Sequence, residues 1–106
     1  MRVLIACGGT SGHINPAIAI AEELRRRDSN NKILFVGTEN RLEADLVPRA
    51  GFDIKFIEIS GLCRAKNFKG LVSNAKTAAK YVKARLAVKK IIEDFSPDIV
   101  IGTGGY

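Results

Sequence analysis

Apolar positions along the chain follow two alternating patterns. Residues 2–7 (RVLIAC) form a short, mostly apolar run that ends at Gly8-Gly9, as a buried strand does. Ile18, Ala21 and Leu24 then recur at helical spacing up to a charged end at Arg25, Arg26 and Arg27. Asn15-Pro16 predicts the start of that helix, because Asn caps well and Pro suits the first helical position. Residues 32–37 (KILFVG) give a second strand. Leu42, Leu46 and Val47 predict a short helix closed by Pro48 and Gly51. Residues 53–59 (DIKFIEI) alternate and give a third strand, followed by a Ser60-Gly61 turn and a basic loop through Lys69. Residues 70–93 carry a long helical pattern. Leu71, Ala75, Ala78, Val82 and Leu86 mark one face, and Lys76, Lys80, Lys83 and Lys90 mark another. Ser96-Pro97 breaks it, and residues 98–102 (DIVIG) give a fourth strand before Thr103, Gly104, Gly105 and Tyr106.

This β-α-β-α-β-α-β order predicts an α/β fold, a Rossmann-like doubly wound parallel sheet of strand order 3-2-1-4 with right-handed crossovers. The first two helices are expected on one face and the third on the other. The 106 residues leave room for one domain. The apolar runs are too short to span a bilayer, and the one near Arg2 is shorter than a signal peptide needs, so a secreted protein is not expected. Cys7 and Cys63 are isolated from each other and form no disulfide framework or metal-ligand spacing, and the expectation is a domain without metal or cofactor in the cytosol. Cys7, inside a strand, reads as a small buried hydrophobe.

Charge sharpens the picture. The chain carries a formal +6, but residues 59–92 hold nine cations and no acid, and the remainder is net −3. A local anionic partner is implied. Leu62, Phe68, Leu71 and Val72 are interleaved with Arg64, Lys66, Lys69 and Lys76. That mixture suits an anionic membrane surface, with apolar side chains in the interface and cations at the headgroups. Lys80, Lys83 and Lys90 read instead as a solvated helix face. Nucleic acid is not expected, since Phe68 and Tyr81 are too few and too far apart for a stacking platform.

Chemistry concentrates at residues 8–13 (GGTSGH), between the first strand and first helix. In a doubly wound sheet this is the carboxyl edge, where ligands bind. Three glycines and two hydroxyls beside a helix N-terminus point to a phosphate or diphosphate. The G-x-G-x-x-G pattern fails at Thr10 and His13, and the P-loop pattern fails at His13 and Ile14. A nucleotide-dependent oxidoreductase is therefore a weak reading. His13, the single histidine, is a general base, a phosphate contact or a polar helix cap.

The stretches GGTSGHINPAIAIAEEL, FVGTENRLEADLVPRAGF, ISGLCRAK and PDIVIGTGGY occur in order over essentially the whole chain. Together they resemble the amino-terminal domain of the MurG family of bacterial peptidoglycan N-acetylglucosaminyltransferases. The resemblance implies one half of a GT-B fold, with residues 1–106 the acceptor-binding domain, truncated, and the donor-binding domain absent. It implies inverting transfer of N-acetylglucosamine from UDP-N-acetylglucosamine to undecaprenyl-diphosphate-linked N-acetylmuramoyl-pentapeptide, at the cytoplasmic face of the plasma membrane. Thr10, Ser11 and Gly12 would approach the donor. The backbone of Gly9, Thr10, Ser11, Gly12, His13, Thr103, Gly104 and Gly105 would cradle the acceptor diphosphate. His13 would be the base or an acceptor-positioning residue. Leu62, Arg64, Lys66, Phe68, Lys69, Leu71 and Val72 would meet the membrane.

One residue departs from the family loop: Ser11 stands where glycine is usual. If that position has positive φ, Ser is strained there. Alone, the chain is expected to be inactive and to self-associate or be marginally stable, with part of a sheet face and the fourth-strand edge bare. The other reading is a non-catalytic membrane-docking subunit of a split transferase.

Overall fold

The computed structural model describes residues 1–39, 41–57 and 74–104. The elements are β1 (Arg2–Cys7), α1 (Ser11–Arg27), β2 (Lys32–Gly37), α2 (Glu43–Arg49), β3 (Asp53–Phe56), α3 (Asn74–Phe95) and β4 (Ile99–Gly104). All pairings are parallel, and the strand order is β3-β2-β1-β4. The alternating α/β arrangement and order expected from the sequence are both present.

Strand alternation divides the core in two. Val3, Ile5 and Cys7 of β1 and Phe35 of β2 face α1 and α2, where Ile14, Ala17, Ala21 and Val47 are fully buried. Those helical positions recur at three and four residues, so one stripe of each helix meets the sheet. Phe35 and Phe52 meet with ring centroids 5.5 Å apart, and the Arg25 guanidinium stacks 3.9 Å above Phe52. On the opposite face, Leu4, Leu34 and Val36 pack with Ile57, Ile91 and Phe95.

The contact of α3 with the sheet corrects one expectation. Val82 and Leu86 do not pack on it; they are 54% and 60% exposed. The cause is length. A 22-residue helix runs about 33 Å, whereas a six-residue strand runs about 20 Å, so only the carboxyl end of α3 lies over the sheet. Arg2 pins that end. Its Nε donates to the Phe95 carbonyl, its guanidinium stacks 4.5 Å over the Phe95 ring, and its amide donates to Asp98 Oδ2 at 2.7 Å. Ser96, at φ 50°, ends α3 as the Ser-Pro break predicts. Val100 on the same sheet face is 56% exposed, and Ile99 on β4 is 45% exposed.

Other boundaries differ as well. Helix α1 begins at Ser11, with Thr10 as N-cap, so Asn15 is not the cap and Pro16 lies inside the helix. Pro16 supplies no N–H to the Gly12 carbonyl, a loss of one bond next to a terminus where several amides are unpaired anyway. Pro48 likewise lies within the last turn of α2, and Gly51 at φ +85° follows it. Strand β4 continues through Thr103 and Gly104.

Candidate functional site

The carboxyl ends of β1, β2 and β4 bring three segments together: residues 8–10, Thr38 and the end of β4. Because α1 starts at Ser11, the glycine loop is shorter than its sequence implies. Ser11, Gly12 and His13 form the first turn of the helix, not a loop. Ser11 is therefore helical, and the only non-glycine residue of positive φ among the described residues is Ser96. The strain considered for Ser11 does not arise. Gly9 supplies the left-handed turn, at φ +88°.

The amides of His13 and Ile14 both donate to the Thr10 carbonyl, at 3.0 and 3.1 Å. Those of Ser11 and Gly12, the first two helical positions, have no acceptor within the helix. They carry the positive end of the helix dipole at the sheet edge. Ser11 and Gly12 are exposed there, as is Thr10.

Three contacts hold His13. Its Nδ1 lies 3.2 Å from Thr10 Oγ1. Its main-chain carbonyl accepts from Thr103 Oγ1 at 2.7 Å. Its ring lies against Gly104, where an added Cβ would come within 2.8 Å of Cδ2 and 3.2 Å of Nε2. The β1–β4 register explains how the last two arise. Ala6 pairs with Gly102, but Cys7 pairs with Gly104, leaving Thr103 as an extra residue. Such a bulge re-aims a side chain at a strand end. Here it turns the Thr103 hydroxyl toward α1, and Gly104 takes up the bend at φ +113°.

A residue that the sequence reading passed over lies beneath this loop. Glu43, the first residue of α2, is fully buried. Its Oε2 accepts from the Thr38 amide at 3.0 Å and the Thr38 hydroxyl at 3.2 Å, and its Oε1 accepts a longer bond from the Gly9 amide at 3.4 Å. Gly37 makes room for it: a Cβ there would stand 2.6 Å from Glu43 Cγ. The sequence signal is the i, i+4 spacing of Glu43 and Val47, which puts the carboxylate on the buried face of α2.

Cys7 is 2% exposed, and burial, with the nearby Glu43 carboxylate second, pushes its thiol up to about 11. It is a protonated packing residue, as expected, not a nucleophile.

The structure thus brings Gly9, Thr10, Ser11, Gly12, His13, Thr103 and Gly104 to one edge. Gly105 and Tyr106 lie outside the described residues, as do Leu62, Arg64, Lys66, Phe68, Lys69, Leu71 and Val72. No described helix is long and apolar enough to cross a membrane. A separate groove of about 700 Å³ opens at the amino edge of the sheet, lined by Arg25, Lys32, Asp53, Lys55 and Asp94 among others. Its charges are of mixed sign, and residues 8–13 do not line it.

Comparison with known proteins identifies the family and the fold. The model of the glycosyltransferase family 28 N-terminal domain matches residues 3–106. The whole chain aligns with the UDP-N-acetylglucosamine–N-acetylmuramyl-(pentapeptide) pyrophosphoryl-undecaprenol N-acetylglucosamine transferases of Exiguobacterium sibiricum at 47% identity and Acetivibrio thermocellus at 48%. It spans only 28% of the length of each. The crystal structure of Acinetobacter baumannii MurG superposes with a TM-score of 0.73 at 24% identity, over 99% of this chain and 28% of that one.

Proposed function

Because the chain belongs to the glycosyltransferase family 28 N-terminal domain family, we propose that it forms the acceptor-binding part of a GT-B enzyme of peptidoglycan synthesis. That enzyme moves N-acetylglucosamine from UDP-N-acetylglucosamine to an undecaprenyl-diphosphate-linked N-acetylmuramoyl-pentapeptide. The observation that carries the reading is His13, fixed by Thr10, Thr103 and Gly104 beside free helix N-terminal amides.

Each group has a role in this reaction. The Ser11 and Gly12 amides, with the Thr10 and Ser11 hydroxyls, are donors for phosphate oxygens, and the helix dipole favours the anion. Thr103, Gly104 and Gly105 are assigned to the same diphosphate. If His13 Nδ1–H donates to Thr10 Oγ1, Nε2 is left with a lone pair. That nitrogen then takes the proton of the acceptor sugar hydroxyl as its oxygen bonds to the anomeric carbon. The bond from that carbon to the UDP oxygen breaks, UDP leaves with the electron pair, and the configuration inverts. In the other role, His13 hydrogen-bonds the acceptor and orients it. Thr10, Ser11 and Gly12 face the donor from the acceptor side.

The domain works as a peripheral protein on the cytoplasmic face of the plasma membrane, through residues 62–72 and their cations. Each cation near an anionic surface contributes about 1 kcal/mol. Lys83 and Lys90, exposed on α3, fit the solvated helix face and are not needed for this attachment.

His13→Ala in the full-length enzyme tests the reading. A general base contributes about 10²–10⁴-fold to kcat, so a loss of that size with little change in acceptor KM assigns the base. A raised acceptor KM with kcat largely kept assigns positioning. Wild-type kinetics in the variant would overturn both roles.

A further inference from the structure

Among the described residues, Glu43 is the one buried charged side chain. A buried carboxylate is costly unless its oxygens are satisfied. No cation pairs with Glu43 among the described residues. Its partners are instead donors from two different loops, Gly9 after β1 and Thr38 after β2, both on the edge that carries His13.

We propose that Glu43 is a positioning residue of the glycine loop, which turns the Gly9 amide inward so that the next amides and Thr10 face the acceptor. This rests on the acceptor-binding role given above. A carboxylate offers acceptors at both oxygens and no donor. One oxygen takes the two Thr38 donors, and the other takes Gly9. With its N–H turned down to Glu43 and φ at +88°, Gly9 leaves the diphosphate to the Ser11 and Gly12 amides. The next residue, Thr10, then carries its hydroxyl to His13 Nδ1 at 3.2 Å. The path is Glu43, Gly9, Thr10, His13, and each link is a bond or a shared peptide. Gly37 is the accommodation on the other side, since any Cβ there would displace the Glu43 side chain.

Glutamine is the informative replacement. Its amide oxygen can keep the Thr38 bonds, but its NH₂ group then meets the Gly9 N–H, donor against donor. Aspartate keeps both acceptors but is one methylene too short to reach both loops.

The test uses full-length enzyme with E43Q and E43D. Both are expected to raise the acceptor KM about tenfold or more, with a smaller rise in the KM for UDP-N-acetylglucosamine, which Thr10, Ser11 and Gly12 also face. A structural role alone would lower the active fraction and leave both KM values unchanged, and that result overturns the proposal. A second measurement needs no variant. In wild-type protein labelled with [15N]glycine, the Gly9 amide is expected to exchange slowly and to hold its shift when a short-chain diphosphate acceptor is added, while the Gly12 amide moves. A fast-exchanging Gly9 amide, or one that shifts with the acceptor as Gly12 does, overturns the proposal even if both variants fail to fold. Wild-type enzyme that transfers no N-acetylglucosamine would instead defeat the functional reading, and Gly9 exchange would still report on Glu43.

Discussion

Thr103 donates its hydroxyl to the backbone carbonyl of His13 across 90 residues of sequence. The bond ties the bulge at the end of β4 to the first turn of α1. Thr103→Val keeps the shape and removes the donor. A net loss of about 1 kcal/mol in stability is expected, with a clear fall in kcat of the full-length enzyme. Thermal melts and steady-state kinetics on the same preparation check both.

Gly104→Ala addresses the other side of the same ring. The backbone there, at φ +113°, is one that L-residues rarely adopt, and the new methyl would press on His13 Cδ2. His13 must move, so kcat should fall about tenfold or more while the far-ultraviolet circular dichroism is unchanged. Gly102→Ala is the control: nothing stands within 4 Å of its added Cβ, and near-wild-type activity is expected.

Cys7 sets an alkaline limit. Its thiol titrates near 11 when folded, above the ordinary value of 9.0. The unfolded chain therefore loses this proton first. The stabilisation is fully present below pH 9 and is lost as pH rises from 9 towards 11. The melting temperature of the wild type should drop over that window more steeply than that of Cys7→Ala. Parallel curves would refute the assignment.

The core prediction is simpler. Phe35 is fully buried on β2 and packs against Phe52. Phe35→Ala should destabilise the chain by about 3–5 kcal/mol, measured by denaturant unfolding.

Exposed apolar groups lead to a prediction about association. Val100, Ile99, Val82 and Leu86 present their side chains to solvent. The 106-residue chain should self-associate with rising concentration in sedimentation velocity, and Val100→Lys should shift it towards monomer. A wild-type monomer at high concentration with a cooperative melt would contradict this. The same preparation should show no turnover of UDP-N-acetylglucosamine.

Much of the fold is legible in local pattern. Strand alternation assigns Val3, Ile5 and Phe35 to one face and Leu4, Leu34 and Val36 to the other, and the β-α order sets the topology. The start of α1 is less legible. Asn15-Pro16 imitates a cap and first turn, whereas Thr10 fills that role five residues earlier. Two features were beyond local pattern because they depend on distant strands. The bulge at Thr103 exists only in the pairing of β4 with β1, and the bond that ties Glu43 to the glycine loop reaches Gly9, 34 residues away. The outward turn of Val82 and Leu86 had the same character: their helical spacing is sound, but the sheet beneath them is too short.

The central strand β1 pairs with β2 and also with β4, whose partners lie nearly a hundred residues later in the chain. During synthesis, β1, α1 and β2 can assemble early, whereas this last pairing must await the emergence of β4 from the ribosome. Until then the His13 ring has no Gly104 beside it, and Leu4 and its neighbours lack one flank. A nascent chain paused before residue 99 would therefore expose the central strand's unpaired edge to chaperones.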